Sequence, residues 1–207
     1  MNKTKVLVAD DHKIVRIGLK ALISQQKDLV CVGEADDGND AVRKALKLKP
    51  DVITMDLMMP GMDGETATAE LRERLPSAKV VILTSSFSTS DGIQAALDAG
   101  ASGALMKTTA DTTLLTAIRA VAEGKTFISP EVRKLMTNDP PIPRLSDRQK
   151  DVLQSLTQGL TNKEIAQRFG LCKGRVEELV NTIFLKLGAS NRAEAVAVAL
   201  RKQLLKI

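Results

Sequence analysis

Five side chains suited to phosphoryl chemistry stand at the ends of short apolar runs. Asp10 and Asp11 follow the run 5–9, Asp56 follows 51–55, Thr84 follows 79–83, and Lys107 follows 102–106. Carboxylates brought together repel one another unless protons or a cation offset their charge. Hard oxygen donors favour a magnesium ion, Mg²⁺, which keeps several waters and bridges readily to phosphate. In such a group Asp56 has the chemistry of a nucleophile that forms an acyl phosphate. Asp10 and Asp11 would hold the metal, Lys107 would neutralise one phosphoryl oxygen, and Thr84 would hydrogen-bond another. Singly, each has an ordinary explanation: an aspartate after a strand is commonly a turn former or helix cap, and a lysine there is a solvated terminus. The reading rests on the combination. His12 has no Cys or second His beside it and is read as structural, and Met55, Met58, Met59 and Met62 are read as packing and loop surface.

These residues meet only if the runs lie side by side. The runs 5–9, 29–35, 51–55, 79–83 and 102–106 are short and rich in Val, Ile and Leu, as strands buried on both faces are. The stretches 13–25, 40–48, 65–74, 91–99 and 111–123 have apolar residues at helical spacing. Five strand–helix units predict an α/β fold: a doubly wound, five-stranded parallel sheet of the flavodoxin-like kind, with helices on both faces. In that strand order ligands bind beyond the carboxyl ends of the first and third strands. Asp10, Asp11 and Asp56 fall there.

The rhythm breaks at residue 124. Ser129-Pro130 opens a short helix reaching Met136, and Pro140, Pro141 and Pro143 read as a semi-rigid linker. The expected division is a first domain over 1–124, a linker with a short helix over 125–144, and an all-α domain over 145–207. Ser146 with Gln149 and Thr161 with Glu164 are capping boxes that start two helices of this domain. Gly159, Gly170 and Gly188 close helices, the last of these ending a helix over 173–187. A fourth helix begins after Ser190 or Asn191 and runs to about 202. The helices joined through Gly170-Leu171-Cys172 have helix-turn-helix spacing.

The 207 residues carry 30 Lys and Arg against 25 Asp and Glu, a net charge of +5. Residues 1–137 hold 18 of each sign, whereas 138–207 hold 12 basic and 7 acidic side chains. The whole excess lies in the helical third and points to a polyanion partner. No run approaches the roughly 20 apolar residues needed to cross a bilayer, so no membrane association is expected. The first strand begins too early for a signal peptide, and Cys31 and Cys172 form neither a disulfide framework nor a metal cluster. A cytoplasmic location follows as the expectation. With four Phe and no Trp or Tyr, the composition argues against aromatic stacking on single-stranded nucleic acid.

The motifs Val-Ala-Asp10-Asp11-His12, Met55-Asp56-Leu57-Met58-Met59-Pro60-Gly61-Met62-Asp63-Gly64, Leu83-Thr84-Ser85, and Lys107 after Leu105-Met106 together resemble the receiver domain of two-component response regulators. The resemblance implies that Asp56 accepts phosphate from a sensor histidine kinase. It also implies Mg²⁺ bound by Asp10, Asp11, Asp56 and the backbone carbonyl of Met58. Such a domain catalyses only its own phosphorylation and dephosphorylation, so the chain is not expected to be a metabolic enzyme. Two positions depart from the family pattern. Ala104 stands where receivers usually carry an aromatic that swings inward as the threonine moves. Propagation would then use the loop after Thr84, Phe87 as a substitute, or helix packing. Thr108 replaces a frequent proline.

Residues 145–203, through Gly159-Leu160-Thr161-Asn162-Lys163-Glu164-Ile165-Ala166 to Lys186-Leu187-Gly188-Ala189-Ser190-Asn191-Arg192, resemble the LuxR-type output domain of the NarL/FixJ class. The resemblance implies a four-helix module whose third helix enters the major groove and whose fourth dimerises. In that third helix Cys172 is the cap, and Arg175, Glu177 and Leu179 stand where Thr, Lys and His are usual. Val176 is kept, and Glu178 lies between the altered positions. A carboxylate repels a phosphate or a guanine edge but accepts a hydrogen bond from cytosine N4. Fewer cations also release fewer counterions on binding. The expected DNA contacts are Lys163, Arg168, Lys173, Arg175, Glu177 and Asn181.

The expected function is a phosphorylation-switched response regulator that dimerises when phosphorylated and regulates transcription on double-stranded DNA. An alternative is a response-regulator-like interaction protein with lost or altered DNA binding, motivated by Glu177, Glu178 and Leu179. A metal-dependent phosphohydrolase using Asp56 would explain the pocket but not the second domain.

Overall fold

The computed structural model describes residues 3–85, 90–202 and 204–205. The chain forms two compact units, Met1–Pro140 and Pro141–Ile207. In the first, strands β1 (Thr4–Ala9), β2 (Leu29–Ala35), β3 (Val52–Asp56), β4 (Lys79–Thr84), β5 (Gly103–Met106) and β6 (Phe127–Ile128) pair in parallel in the order β2-β1-β3-β4-β5-β6. Successive side chains of a strand point to opposite faces, and each face is covered by helices. Leu7, Ile53 and Ile82 pack with residues of α2 (Gly38–Leu48), α3 (Gly64–Arg74) and α4 (Ser90–Asp98). Val6, Val8, Val81, Leu83 and Leu105 pack with α1 (Lys13–Ser24) and α5 (Asp111–Ala122). Full burial of each such side chain contributes about 1.5–3 kcal/mol. The side chains of Asp37 and Asp63 accept from Asp40 N and Thr66 N, capping α2 and α3.

The sheet has six strands where the sequence predicts five, and the expected linker over 125–144 is corrected with it. Phe127 pairs with Gly103 and Ile128 with Ala104. Helix α6 (Pro130–Asn138) follows, its start capped by the Ser129 side chain. Val132 is fully buried in the cluster that contains Ala104, and Ile128, Leu135 and Met136 pack against it. Ser90 Oγ of α4 bonds Asp139 Oδ2 at 3.2 Å. Residues 127–138 therefore belong to the first unit. A two-residue strand is too short to display a period, which hides it from sequence reading.

The second unit comprises α7 (Asp147–Thr157), α8 (Asn162–Phe169), α9 (Lys173–Leu187) and α10 (Arg192–Arg201). Both predicted capping boxes are present, and Asn191 caps α10, while Cys172 makes no side-chain cap bond to α9. Gly170 and Gly188, both at φ 64, turn the chain out of α8 and α9 in a conformation that glycine adopts without strain. Val152, Leu153, Leu156, Ile165, Val176, Val180, Ile183, Leu187, Ala195 and Ala199 form the core. Arg192 donates to the carbonyls of Leu156 (3.0 Å) and Leu160 (2.6 Å), tying the start of α10 to the end of α7. Among the described residues, no helix is long and apolar enough to cross a membrane.

Candidate functional site

The sheet register brings the five predicted pocket residues to one edge. Ala9 of β1 lies beside Met55 of β3, so Asp10 and Asp56 emerge together. Asp56 pairs with Leu83, and Thr84 with Met106, which sets Thr84 and Lys107 beside them. Asp10, Asp56 and Thr84 are buried and Lys107 is half-buried. Lys107 Nζ lies 2.7 Å from both Asp10 Oδ2 and Asp56 Oδ2. One ammonium thus serves two buried carboxylates. Burial pushes the Asp56 carboxyl above its ordinary value, while Lys107 pulls the other way. Burial alone would lower the Lys107 ammonium, but its bonds to Asp10 and Asp56 outweigh that and hold it above its ordinary value. Thr84 Oγ1 is buried with no hydrogen-bond partner among the described residues.

The ligand atoms of Asp10, Asp11, His12 and Asp56 lie within 4.8 Å of one another. His12 Nδ1 is 2.6 Å from Asp11 Oδ1 and 3.3 Å from Asp10 Oδ1, and its backbone N–H donates to Asp10 Oδ1 at 2.9 Å. Three carboxylates against one ammonium leave an excess of negative charge, and hard oxygen donors suit a divalent cation such as Mg²⁺. The Met58 N–H donates to Asp56 Oδ1 at 3.3 Å. Met55 and Met59 are buried, whereas Met58 is exposed beside the pocket.

Two features escape the motif reading. Arg16, in the first turns of α1, donates to the carbonyls of Asp10 (2.7 Å) and Asp11 (3.1 Å), fixing the turn that follows β1. A Cβ at Gly64 would lie 2.2 Å from the Asp56 carbonyl oxygen, and the Gly64 N–H donates to Leu57 O at 3.0 Å. The start of α3 thus presses on the backbone that carries Asp56, and only glycine allows that approach. The helical spacing around Arg16 is a visible signal for the first; nothing local in the sequence gives the second.

In the second unit, Lys163 and Arg168 are exposed on α8, and Arg168 donates to Gln158 Oε1 at 2.7 Å. On α9, Lys173, Arg175, Glu177 and Asn181 are all exposed. Lys173 Nζ is 3.5 Å from Glu177 Oε1, and Arg175 Nη1 is 2.8 Å from Glu178 Oε2. Leu179 is half-buried against the core and does not join that exposed face. Phe87, the expected substitute for the missing aromatic, lies outside the described residues.

An aspartate pocket on a doubly wound parallel sheet, joined to a helix-turn-helix unit, defines a signal-receiving domain coupled to a nucleic-acid-binding one. The family described as response regulator receiver domain matches residues 6–119, and that of bacterial regulatory proteins, luxR family, matches 143–199. The response regulator protein VraR of Staphylococcus epidermidis is 38% identical over 206 residues, covering 97% of this chain and 98% of that one. VraR of Staphylococcus aureus is 37% identical over the same shares. The structure of the response regulator ChrA of a heme-sensing two-component system has a TM-score of 0.59 at 35% identity, covering 99% of this chain and all (100%) of that one. RcsB in its DNA complex has a TM-score of 0.69 at 28% identity, covering 97% and 99%. The chain belongs to the NarL/FixJ class of two-component response regulators and is a phosphorylation-dependent transcriptional regulator.

Proposed function

We propose that Asp56 is the phosphoacceptor and that its donor is the phosphohistidine of a sensor kinase. An Asp56 oxygen attacks phosphorus as the P–N bond breaks. The electron pair stays with the imidazole, which takes a proton from solvent, and an acyl phosphate remains on Asp56. Asp10, Asp11, Asp56 and the Met58 carbonyl would hold Mg²⁺, which when bound supplies positive charge to the phosphoryl oxygens and relieves the repulsion among the carboxylates. Lys107, already bonded to Asp56, neutralises one phosphoryl oxygen, and Thr84 donates its hydroxyl to another. Attack by water on the same acyl phosphate returns the carboxylate and inorganic phosphate. The observation that carries this reading is the pair of 2.7 Å contacts from Lys107 Nζ to the buried carboxylates of Asp10 and Asp56.

Phosphorylation promotes a homodimer whose second units bind duplex DNA, with α9 in the major groove and Lys163 and Arg168 toward the phosphates. Lys173, Arg175, Glu177 and Asn181 are the exposed contacts of that helix, Asn181 on its outer line and Glu177 on the flank. With Ala104 at the switch position, the movement of Thr84 is passed on through helix packing, in which α4 is bonded through Ser90 to Asp139. The protein works in the cytoplasm, where its kinase presents phosphohistidine. Labelling of the full chain with phosphoramidate and Mg²⁺ tests the chemistry. Wild type should take up one phosphoryl group and Asp56→Asn none, with chelator suppressing the reaction; equal labelling of Asp56→Asn overturns the assignment.

A further inference from the structure

Val176, Val180, Ile183 and Leu187 form the buried stripe of α9. At about 100° per residue, the line opposite that stripe runs through Gly174, Glu178, Asn181 and Leu185, all exposed. Glu177 lies on the flank: its side chain is 48% exposed, against 67% for Glu178. The acid that points straight out of the helix is therefore Glu178, not Glu177.

Glu178 is held in place. The Arg175 guanidinium donates to Glu178 Oε2 at 2.8 Å, and on the flank Lys173 is paired with Glu177. The four charges at the start of α9 cancel, so attraction to a phosphate backbone has to come from elsewhere, such as the exposed Lys163 and Arg168 of α8. What the pair does fit is a base edge. A carboxylate accepts from the cytosine N4 amino group, and a guanidinium donates to guanine O6 and N7.

Gly174 points to the same surface. A Cβ built there meets nothing within 4 Å, and the residue is not among those with positive φ. Neither packing nor backbone conformation calls for glycine, which weakens a helix relative to alanine. Close approach of the helix backbone to a ligand does call for it.

Resting on the DNA-binding reading above, we infer that Glu178, oriented by Arg175, is a specificity-determining residue that reads cytosine in the major groove, and that Gly174 lets α9 come close enough for it to do so. Asn181, one turn further along the same line, has the amide that pairs with adenine N6 and N7.

Selection of bound duplexes from a random pool tests this, using the full chain after phosphoramidate treatment, as wild type, Glu178→Gln and Gly174→Ala. Wild type should enrich half-sites with a fixed C·G pair at one position. Glu178→Gln should lose discrimination at that pair alone, by about 5- to 150-fold. Gly174→Ala should melt at higher temperature yet bind the selected site about tenfold or more weakly. An unchanged base preference in Glu178→Gln, or a common gain in affinity for every duplex, overturns the inference, because a carboxylate facing phosphate gives only the latter. Wild-type affinity in Gly174→Ala overturns the role of the glycine. If wild type enriches no sequence at all, the DNA-binding reading fails together with the inference.

Discussion

The aspartate pocket and the outer face of α9 hold the same kind of chemistry, carboxylates countered by cations, with opposite consequences. In the pocket, Asp10, Asp56 and Lys107 come from three strands and meet because a parallel sheet ends its strands on one edge. Their carboxylates are buried, and that burial raises the Asp56 carboxyl. On α9, Glu177 and Glu178 are matched by residues four and three positions earlier, and all four side chains are open to solvent. Such pairs contribute only about 0.2–0.5 kcal/mol each to a helix. A buried charge cluster strains the fold unless a ligand relieves it. An exposed one is nearly neutral for stability and is free to serve recognition alone.

The sharpest way to break this contrast is Lys107→Met. It should slow labelling of the full chain by phosphoramidate about 100-fold or more, whereas Lys173→Met should leave the rate untouched. Equal rates for the two variants would erase the distinction. The next effect is on stability. Val132→Ala, in the buried contact that joins α6 to the sheet, should lower the urea stability of the first unit by about 2 kcal/mol. No loss would mean that α6 does not belong with that unit. Thr161→Ala removes the cap of α8 and should cost about 1 kcal/mol, confined to the unfolding transition of the second unit.

The smallest effect is a difference of sign with pH, read from unfolding in chelator between about pH 3 and pH 7. The Asp56 carboxyl is raised from 3.8 by burial, so between 3.8 and its folded value the native state binds more protons than the unfolded one. That group's contribution to stability falls as pH rises through this window, and its penalty is complete above it. Asp56→Asn should therefore stabilise the metal-free protein at neutral pH. Glu164 is lowered from 4.5 by hydrogen bonds from the Thr161 backbone and hydroxyl. Its contribution is present above 4.5 and is lost as pH falls through the lower folded value. The two variants Asp56→Asn and Glu164→Gln should remove slopes of opposite sign, and slopes of the same sign would contradict the assignment.

The pocket is legible in the sequence because strand ends in a doubly wound sheet have a fixed meaning: once five apolar runs are recognised, Asp10, Asp56, Thr84 and Lys107 have nowhere else to go. The helix boundaries of the second unit are legible for a local reason, since Ser146, Thr161 and Asn191 act on their own turns. What stays hidden depends on packing. Phe127 and Ile128 form a strand only because β5 offers an open edge. Gly64 matters only because the Asp56 backbone passes within reach of it. The rotation of α9 that puts Glu178 outward and Leu179 inward becomes plain once the buried stripe is known. Alignment of family positions favours Glu177 instead.

The central claim is that phosphorylation at Asp56 in the first unit controls DNA binding by the second. Its most direct test is the dissociation constant of the full chain for a selected duplex at fixed salt, before and after phosphoramidate with Mg²⁺, for wild type and Asp56→Asn. Wild type should bind about 5- to 150-fold more tightly when phosphorylated, the usual span of coupling between two sites, and Asp56→Asn should not change. A wild type indifferent to phosphorylation, or an Asp56→Asn variant that tightens equally, would contradict the account.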